Sequence, residues 1–174
     1  MTARHEYPSA PAPAGPLILA IGSQDTFLHV YRDQQDLMSD QDIGAGVGEH
    51  PFPLEFFDTD GHRLTGVYDG RWHLLRLAPT ADPPDPSKVR RRVLGVLAYL
   101  RTFVDTRPDV LALYGLTRED AHAMLGPVES APDLVTAVRW FAALDAEGGH
   151  FAPETLGDAH DGGTLHNLTH HGHP

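Results

Sequence analysis

Leu54-Glu55-Phe56-Phe57-Asp58-Thr59-Asp60-Gly61, continued by His62 to Tyr68, Asp69-Gly70 and Arg71 to Leu77, is the stretch that decides the fold. Two joints containing Asp and Gly interrupt three segments of strand length. Asp-Gly supplies the positive φ angles that tight hairpins require. The stretch therefore predicts a three-stranded antiparallel meander. In its third segment, alternation groups Trp72, Leu74 and Arg76 on one face and His73, Leu75 and Leu77 on the other.

Working upstream, Leu17-Ile18-Leu19-Ala20-Ile21 reads as a short buried strand closed by Gly22, pairing alongside the meander. Phe27 to Tyr31 reads as another strand, and Asp33 to Ser39 as a short helix with Leu37 and Met38 turned inward. One continuous helix from Gln24 to Met38 is the alternative. Residues 1–16 carry Pro8, Pro11, Pro13 and Pro16 and predict a flexible, PPII-like arm. Asp40 to Pro53, with Gly44, Gly46, Gly48, Pro51 and Pro53, predicts a long loop of the kind that often carries function.

Working downstream, the proline-rich segment from Ala78 to Pro86 is a linker into a helical half. Asp85 is placed to cap a helix and Pro86 to occupy its first turn. Val89, Val93, Val96, Leu97, Leu100 and Val104 follow at spacings of three and four, an apolar stripe on a helix of about 18 residues. Pro108 to Tyr114 predicts a short helix stopped by Gly115. Thr117-Arg118-Glu119-Asp120 has the form of a capping box with Asp in place of Glu, opening a helix that ends before Gly126. Ser130 and Pro132 open a fourth helix whose buried face is Leu134, Val138, Phe141 and Leu144. The fold class that results is α+β: an N-terminal antiparallel β-meander packed against a C-terminal group of about four helices. Residues 17–148 form one domain, strands over 17–80 and helices over 85–148, followed by a Gly/His-rich tail over 149–174.

The chain has 174 residues, a size typical of one domain. Its 24 acidic and 13 basic side chains give a formal charge of −11, a field that repels nucleic acid and anionic lipid and favours a cationic partner. No apolar run approaches the ~18 residues of a membrane span. The start of the chain lacks the basic and apolar regions of a secretory signal, so the expected location is cytoplasmic. Cysteine is absent, which excludes disulfides, thiolate nucleophiles and Cys-ligated zinc.

No serine lies in Gly-x-Ser-x-Gly, so nucleophilic catalysis has little support. Gly44 to Gly48 departs from the dinucleotide fingerprint and has no helix behind it to bind a phosphate. Asp33, Asp36, Asp40, Asp42 and Glu49 concentrate negative charge beside the long loop. They predict an acidic surface for a basic protein partner, with Phe52 as an apolar anchor. The basic strip Lys88, Arg90, Arg91 and Arg92 could pair with that patch or hold a small anion. Twelve histidines is a high count for this length. His160, His166, His170 and His173 could ligate a divalent transition metal such as zinc, and a metal carrier or metal-dependent enzyme is the alternative function. His62 and His73, read onto adjacent strands, are a lesser candidate pair. A small-molecule pocket lined by Trp72, Tyr99, Tyr114 and Trp140 is a third reading.

The order of a short strand, an acidic helix and then Leu54-Glu55-Phe56-Phe57-Asp58-Thr59-Asp60-Gly61-His62-Arg63-Leu64 resembles small acidic actinobacterial proteins, among them immunity-type proteins of polymorphic toxin systems. The likeness covers residues 17–80 and has no counterpart in the helical half. It implies an α+β chain that acts by binding and plugging a partner's site. It carries over no catalytic residue and no cofactor.

Overall fold

The computed structural model describes residues 15–40, 54–71, 73–113 and 115–147. Ten elements follow in order: β1 (Ile18–Gly22), β2 (Leu28–Tyr31), α1 (Gln34–Ser39), β3 (Leu54–Asp58), β4 (Arg63–Tyr68), β5 (Leu74–Pro79), α2 (Pro86–Thr106), α3 (Pro108–Leu113), α4 (Arg118–Ser130) and α5 (Leu134–Glu147). The strands form one antiparallel sheet in the order β2-β1-β3-β4-β5. The meander is β3-β4-β5, and β1 lies against it, with Ile18 opposite Asp58 and Gly22 opposite Leu54. The class is α+β.

Strict alternation makes the sheet two-faced. Leu17, Leu19, Ile21, Leu28, Val30 and Phe57 point to one side and merge with Val89, Val93, Val96, Leu97, Leu100 and Val104 of α2. Leu125 and Val128 of α4 and Val138 and Phe141 of α5 complete that core. Each such large side chain, fully buried, stabilises the fold by about 1.5–3 kcal/mol relative to exposure. Ile18, Ala20, Phe27, Tyr31, Phe56, Leu64, Leu74 and Leu77 point the other way and gather around Leu37 of α1 in a second core.

The second core exists because the sheet curls. Gln34, in the first turn of α1, donates its side-chain N–H to the Leu77 carbonyl at 3.0 Å and accepts the Leu77 N–H at 3.1 Å. Its amide thereby occupies the outer edge of β5 as a partner strand would. Gln34 lies only three positions beyond Tyr31, the end of β2 on the opposite edge, or about 11 Å of chain. A flat sheet would hold those two edges about 19 Å apart. Curling brings them within reach, and α1 spans the gap.

Several expectations need correction. Residues 24–38 are not one helix: β2 and α1 are separate, and Asp33 starts α1 by accepting the Asp36 N–H at 2.9 Å. Met38 is not inward but 39% exposed, because the ~100° step from buried Leu37 carries it off the core. Leu74 and Leu77 share a face instead of opposing one another. The register slips between Val67/Tyr68, opposite Arg76 and Leu74, so Leu75 is an extra residue that resets the alternation and is left 55% exposed. The helix α4 does not stop before Gly126 but runs through Pro127 to Ser130, where burial of Leu125 and Val128 outweighs the backbone bond that proline forfeits. Ser130 does not open α5; its hydroxyl donates back to the Gly126 carbonyl, and Asp133 takes the capping role by accepting the Thr136 N–H at 2.7 Å.

Candidate functional site

Asp33, Asp36 and Asp40 all lie at α1, but the helix turns them to different tasks. Asp33 is exposed and caps the helix. Asp36 is buried, accepts the Arg32 N–H at 2.9 Å and lies 3.9 Å from the Arg32 guanidinium. Asp40 is buried and accepts the Tyr31 hydroxyl at 2.5 Å. Two of the three thus close the small core. Asp42, Glu49, Phe52, His160, His166, His170 and His173 lie outside the described residues, as do Trp72 and Tyr114. Tyr99 is half-buried and Trp140 is 48% exposed.

Exposed carboxylates collect elsewhere, at one end of the sheet. The register places the end of β2, the β3–β4 turn and the end of β5 together, since Ile18 pairs with both Tyr31 and Asp58, and Leu64 pairs with Pro79. Asp33 follows β2, Asp60 sits in the turn, and Asp82 follows β5; all three are exposed. Exposed Asp85 joins them because its N–H donates to the Gly61 carbonyl at 2.9 Å. Asp85 also caps α2 through the Lys88 N–H at 2.9 Å. The cations near this end are Arg32, turned toward Asp36, Arg63, paired with Glu55 at 3.3 Å, and exposed Lys88.

The β3–β4 turn is itself a tight device. The Asp58 carboxylate accepts the His62 N–H at 2.9 Å and the His62 Nδ1–H at 3.0 Å. Thr59 exchanges two bonds with Leu17, its hydroxyl accepting the Leu17 N–H at 3.1 Å and its own N–H donating to the Leu17 carbonyl. Asp58, Asp60 and His62 bring one donor atom each to within 4.8 Å of one another, a mixed oxygen and nitrogen set that could meet a divalent cation. The Asp58–His62 bonds already close the turn without an ion. Reading Asp58 to Gly61 only as a hairpin joint hid this convergence; the alternating Asp58, Asp60, His62 pattern is the signal that could have shown it.

His62 and His73 do not come together. They stand at opposite ends of β4, each bonded to the aspartate four residues before it, His73 Nδ1–H to Asp69 at 3.0 Å. Asp69 has its carboxyl held below the ordinary carboxylate value, first by the backbone N–H of His73, then by that of Arg71 and by the His73 ring.

Two of the four residues of the basic strip, Arg90 and Arg92, are consumed by packing, while Lys88 and Arg91 are exposed. Arg90 donates to the carbonyls of Ala131 and Pro132 and so satisfies the end of α4. Arg92 binds Asp25, Glu55 at 2.8 Å and the Gly22 carbonyl at 3.0 Å, and lies over the Phe57 ring. Burial works against the Arg92 charge, but the bonds to Asp25 and Glu55 together outweigh it and raise its pKa. Asp25 adopts φ +54, and Gly95 of α2 leaves room for its carboxylate, which would lie 2.7 Å from a Cβ there. Neither Arg90 nor Arg92 is placed for the acidic residues of α1 or for an anion.

Among the described residues, no helix is long and apolar enough to cross a membrane. Comparison of the chain with known protein families, with curated proteins and with solved structures finds no match.

Proposed function

We propose that the protein is a non-enzymatic binding module that offers an acidic surface to a basic protein. The observation that carries this reading is the gathering of exposed Asp33, Asp60, Asp82 and Asp85 around one end of the sheet. Charge arranged in this way accelerates encounter with a cationic surface and rejects anionic ones. The surface differs from the one the sequence suggested, since Asp36 and Asp40 are turned into the fold. Met38, exposed on α1, is an apolar side chain next to the acidic end in sequence and replaces the inward role first read for it. An immunity or accessory role, in which binding alone blocks a partner, is the form of this function that the resemblance supports, within a cytoplasmic setting.

The test uses Asp33→Asn, Asp60→Asn, Asp82→Asn and Asp85→Asn combined in the full chain. Asparagine caps helices as well as aspartate does, so the variant loses charge without losing the caps of α1 and α2. Proteins retained from a lysate by the wild-type chain but not by this variant are identified, and the association rate of that pair is measured against salt. A basic partner whose association slows steeply with salt is the expected result. Retention that is indifferent to the four substitutions, or a partner that is acidic, overturns the reading.

A further inference from the structure

We propose that β4 and β5 offer a second docking surface, on the helical side of the sheet, and that it takes an acidic polypeptide segment of a partner. The main core draws side chains from β1, β2 and β3 but none from β4 or β5. The register gives the composition of the face left uncovered. Arg63 pairs with Phe57, whose ring is in the main core, so alternation turns Arg63, Thr65 and Val67 to the helical side. Val67 pairs with Arg76 and Thr65 with Ala78, which places those two on the same face. Arg63, Thr65 and Arg76 are exposed, and Val67 and Ala78 are half-buried. Leu75, set out by the bulge beside Arg76, is 55% exposed.

The sign of this face opposes that of the chain, whose formal charge is −11. Neither β4 nor β5 contains an acidic residue. Glu55, on the same side of β3 as Phe57, is held between Arg63 at 3.3 Å and Arg92 at 2.8 Å. Asp69, at the hairpin end, accepts the N–H groups of Arg71 at 2.7 Å and His73 at 3.0 Å. Arg76 pairs with no carboxylate among the described residues. An exposed leucine beside an unpaired arginine combines apolar area to bury with a charge that sets the sign of the partner.

The size of the face selects a polypeptide over a nucleic acid. Arg63 and Arg76 stand at opposite corners, four residues along β4 and one strand across, or about 14 Å apart. An extended segment spans that distance with carboxylates four residues apart. A nucleic acid duplex carries a charge every ~1.7 Å and would run on over Asp60, Asp82 and Asp85 at the adjoining end of the sheet, where it is repelled. The two surfaces are of opposite sign, so a segment that this face accepts is one that the acidic end rejects.

The probe is a capped decapeptide of alternating Glu and Val, titrated into the isotope-labelled full chain at about 50 mM salt and followed by amide NMR. Amides of residues 63–67 and 75–78 should shift. The apparent affinity should fall about tenfold in Arg76→Glu, whose other amides should stay in place because the side chain is exposed and unpaired. Leu75→Ser should weaken binding about fivefold through lost apolar burial. A decapeptide of alternating Lys and Val should leave residues 63–67 and 75–78 unmoved, whatever it does at the four aspartates of the acidic end. Absence of shifts at millimolar peptide, shifts confined to other residues, or equal affinity in Arg76→Glu overturns the proposal. So does an oligonucleotide of equal charge that moves the same amides more tightly, or a wild-type chain in which those amides shift with its own concentration, since the occupant would then be a nucleic acid or a second copy.

Discussion

The turns at the two ends of β4 are built alike and live in different surroundings. Each begins on an aspartate whose carboxylate accepts the backbone N–H and the Nδ1–H of a histidine four residues on. In each, the aspartate N–H donates back to that histidine's carbonyl at 3.0 Å. The Asp69–His73 turn stands in solvent. The Asp58–His62 turn is pinned on both sides, by Leu17 through Thr59 and by Asp85 through Gly61. The same local bonds therefore close one hairpin as an ornament of the surface and the other as the joint between sheet and helices. What a turn is worth depends on what leans on it.

Glycine substitution should separate the two turns most. Gly61 has φ +93, and a Cβ there would lie 2.4 Å from the Pro86 nitrogen, whereas a Cβ at Gly70 would meet nothing within 4 Å. Gly61→Ala should cost about 3 kcal/mol or more by urea denaturation, and Gly70→Ala about 0.5 kcal/mol or less. Equal effects would end the distinction between joint and ornament. The aspartates come next. Asp58→Ala removes the acceptor for two partly buried donors and should cost about 2 kcal/mol, while Asp69→Ala should move the thermal midpoint much less. Thr59→Val tests the anchoring directly. It strips the Leu17 N–H of its acceptor and should cost about 1 kcal/mol, read from the same denaturation curves.

The smallest effect is one of pH. Asp69 titrates below the ordinary carboxylate value in the folded chain, so its contribution is complete above the unfolded value of about 4. That contribution is lost as pH falls through the lower folded value. Carboxyl carbon shifts should show the depressed midpoint, and Asp69→Asn should change stability near neutrality while flattening its loss between those two values. A midpoint at the ordinary value would show that the exposed turn is not closed in solution.

Much of the fold was legible because its signals are local. The stripe from Val89 to Val104 is buried as its spacing demanded. Thr117 and Asp120 form the capping box with Asp in place of Glu, the hydroxyl donating to the carboxylate at 2.6 Å. The alternation of Leu17 to Ile21 serves two cores, one on each face. The misreadings came where one long-range contact outweighs a local rule. Leu75 bulges out and inverts the phase read for β5, and Pro127 is tolerated because Leu125 and Val128 of the same turn are core.

The candidate site was less legible than the fold. Asp36 and Asp40 looked like surface charge by density in sequence, and only the positions of Arg32 and Tyr31 turn them inward. Asp33, Asp60, Asp82 and Asp85 are scattered over the chain, so no spacing announces them as neighbours. Arg92 read as one of a basic strip, and its carboxylate partners Asp25 and Glu55 come from two separate parts of the sheet half.

Periodicity, caps and turn residues act within a few positions of one another, so the order and type of the elements were written in the chain itself. The curl of the sheet, the seating of α1 across its edges and the pairing of Arg92 with Asp25 and Glu55 were decided by contacts between residues dozens of positions apart. Burial and ion pairing depend on distance in space, and a linear pattern carries that distance only for near neighbours.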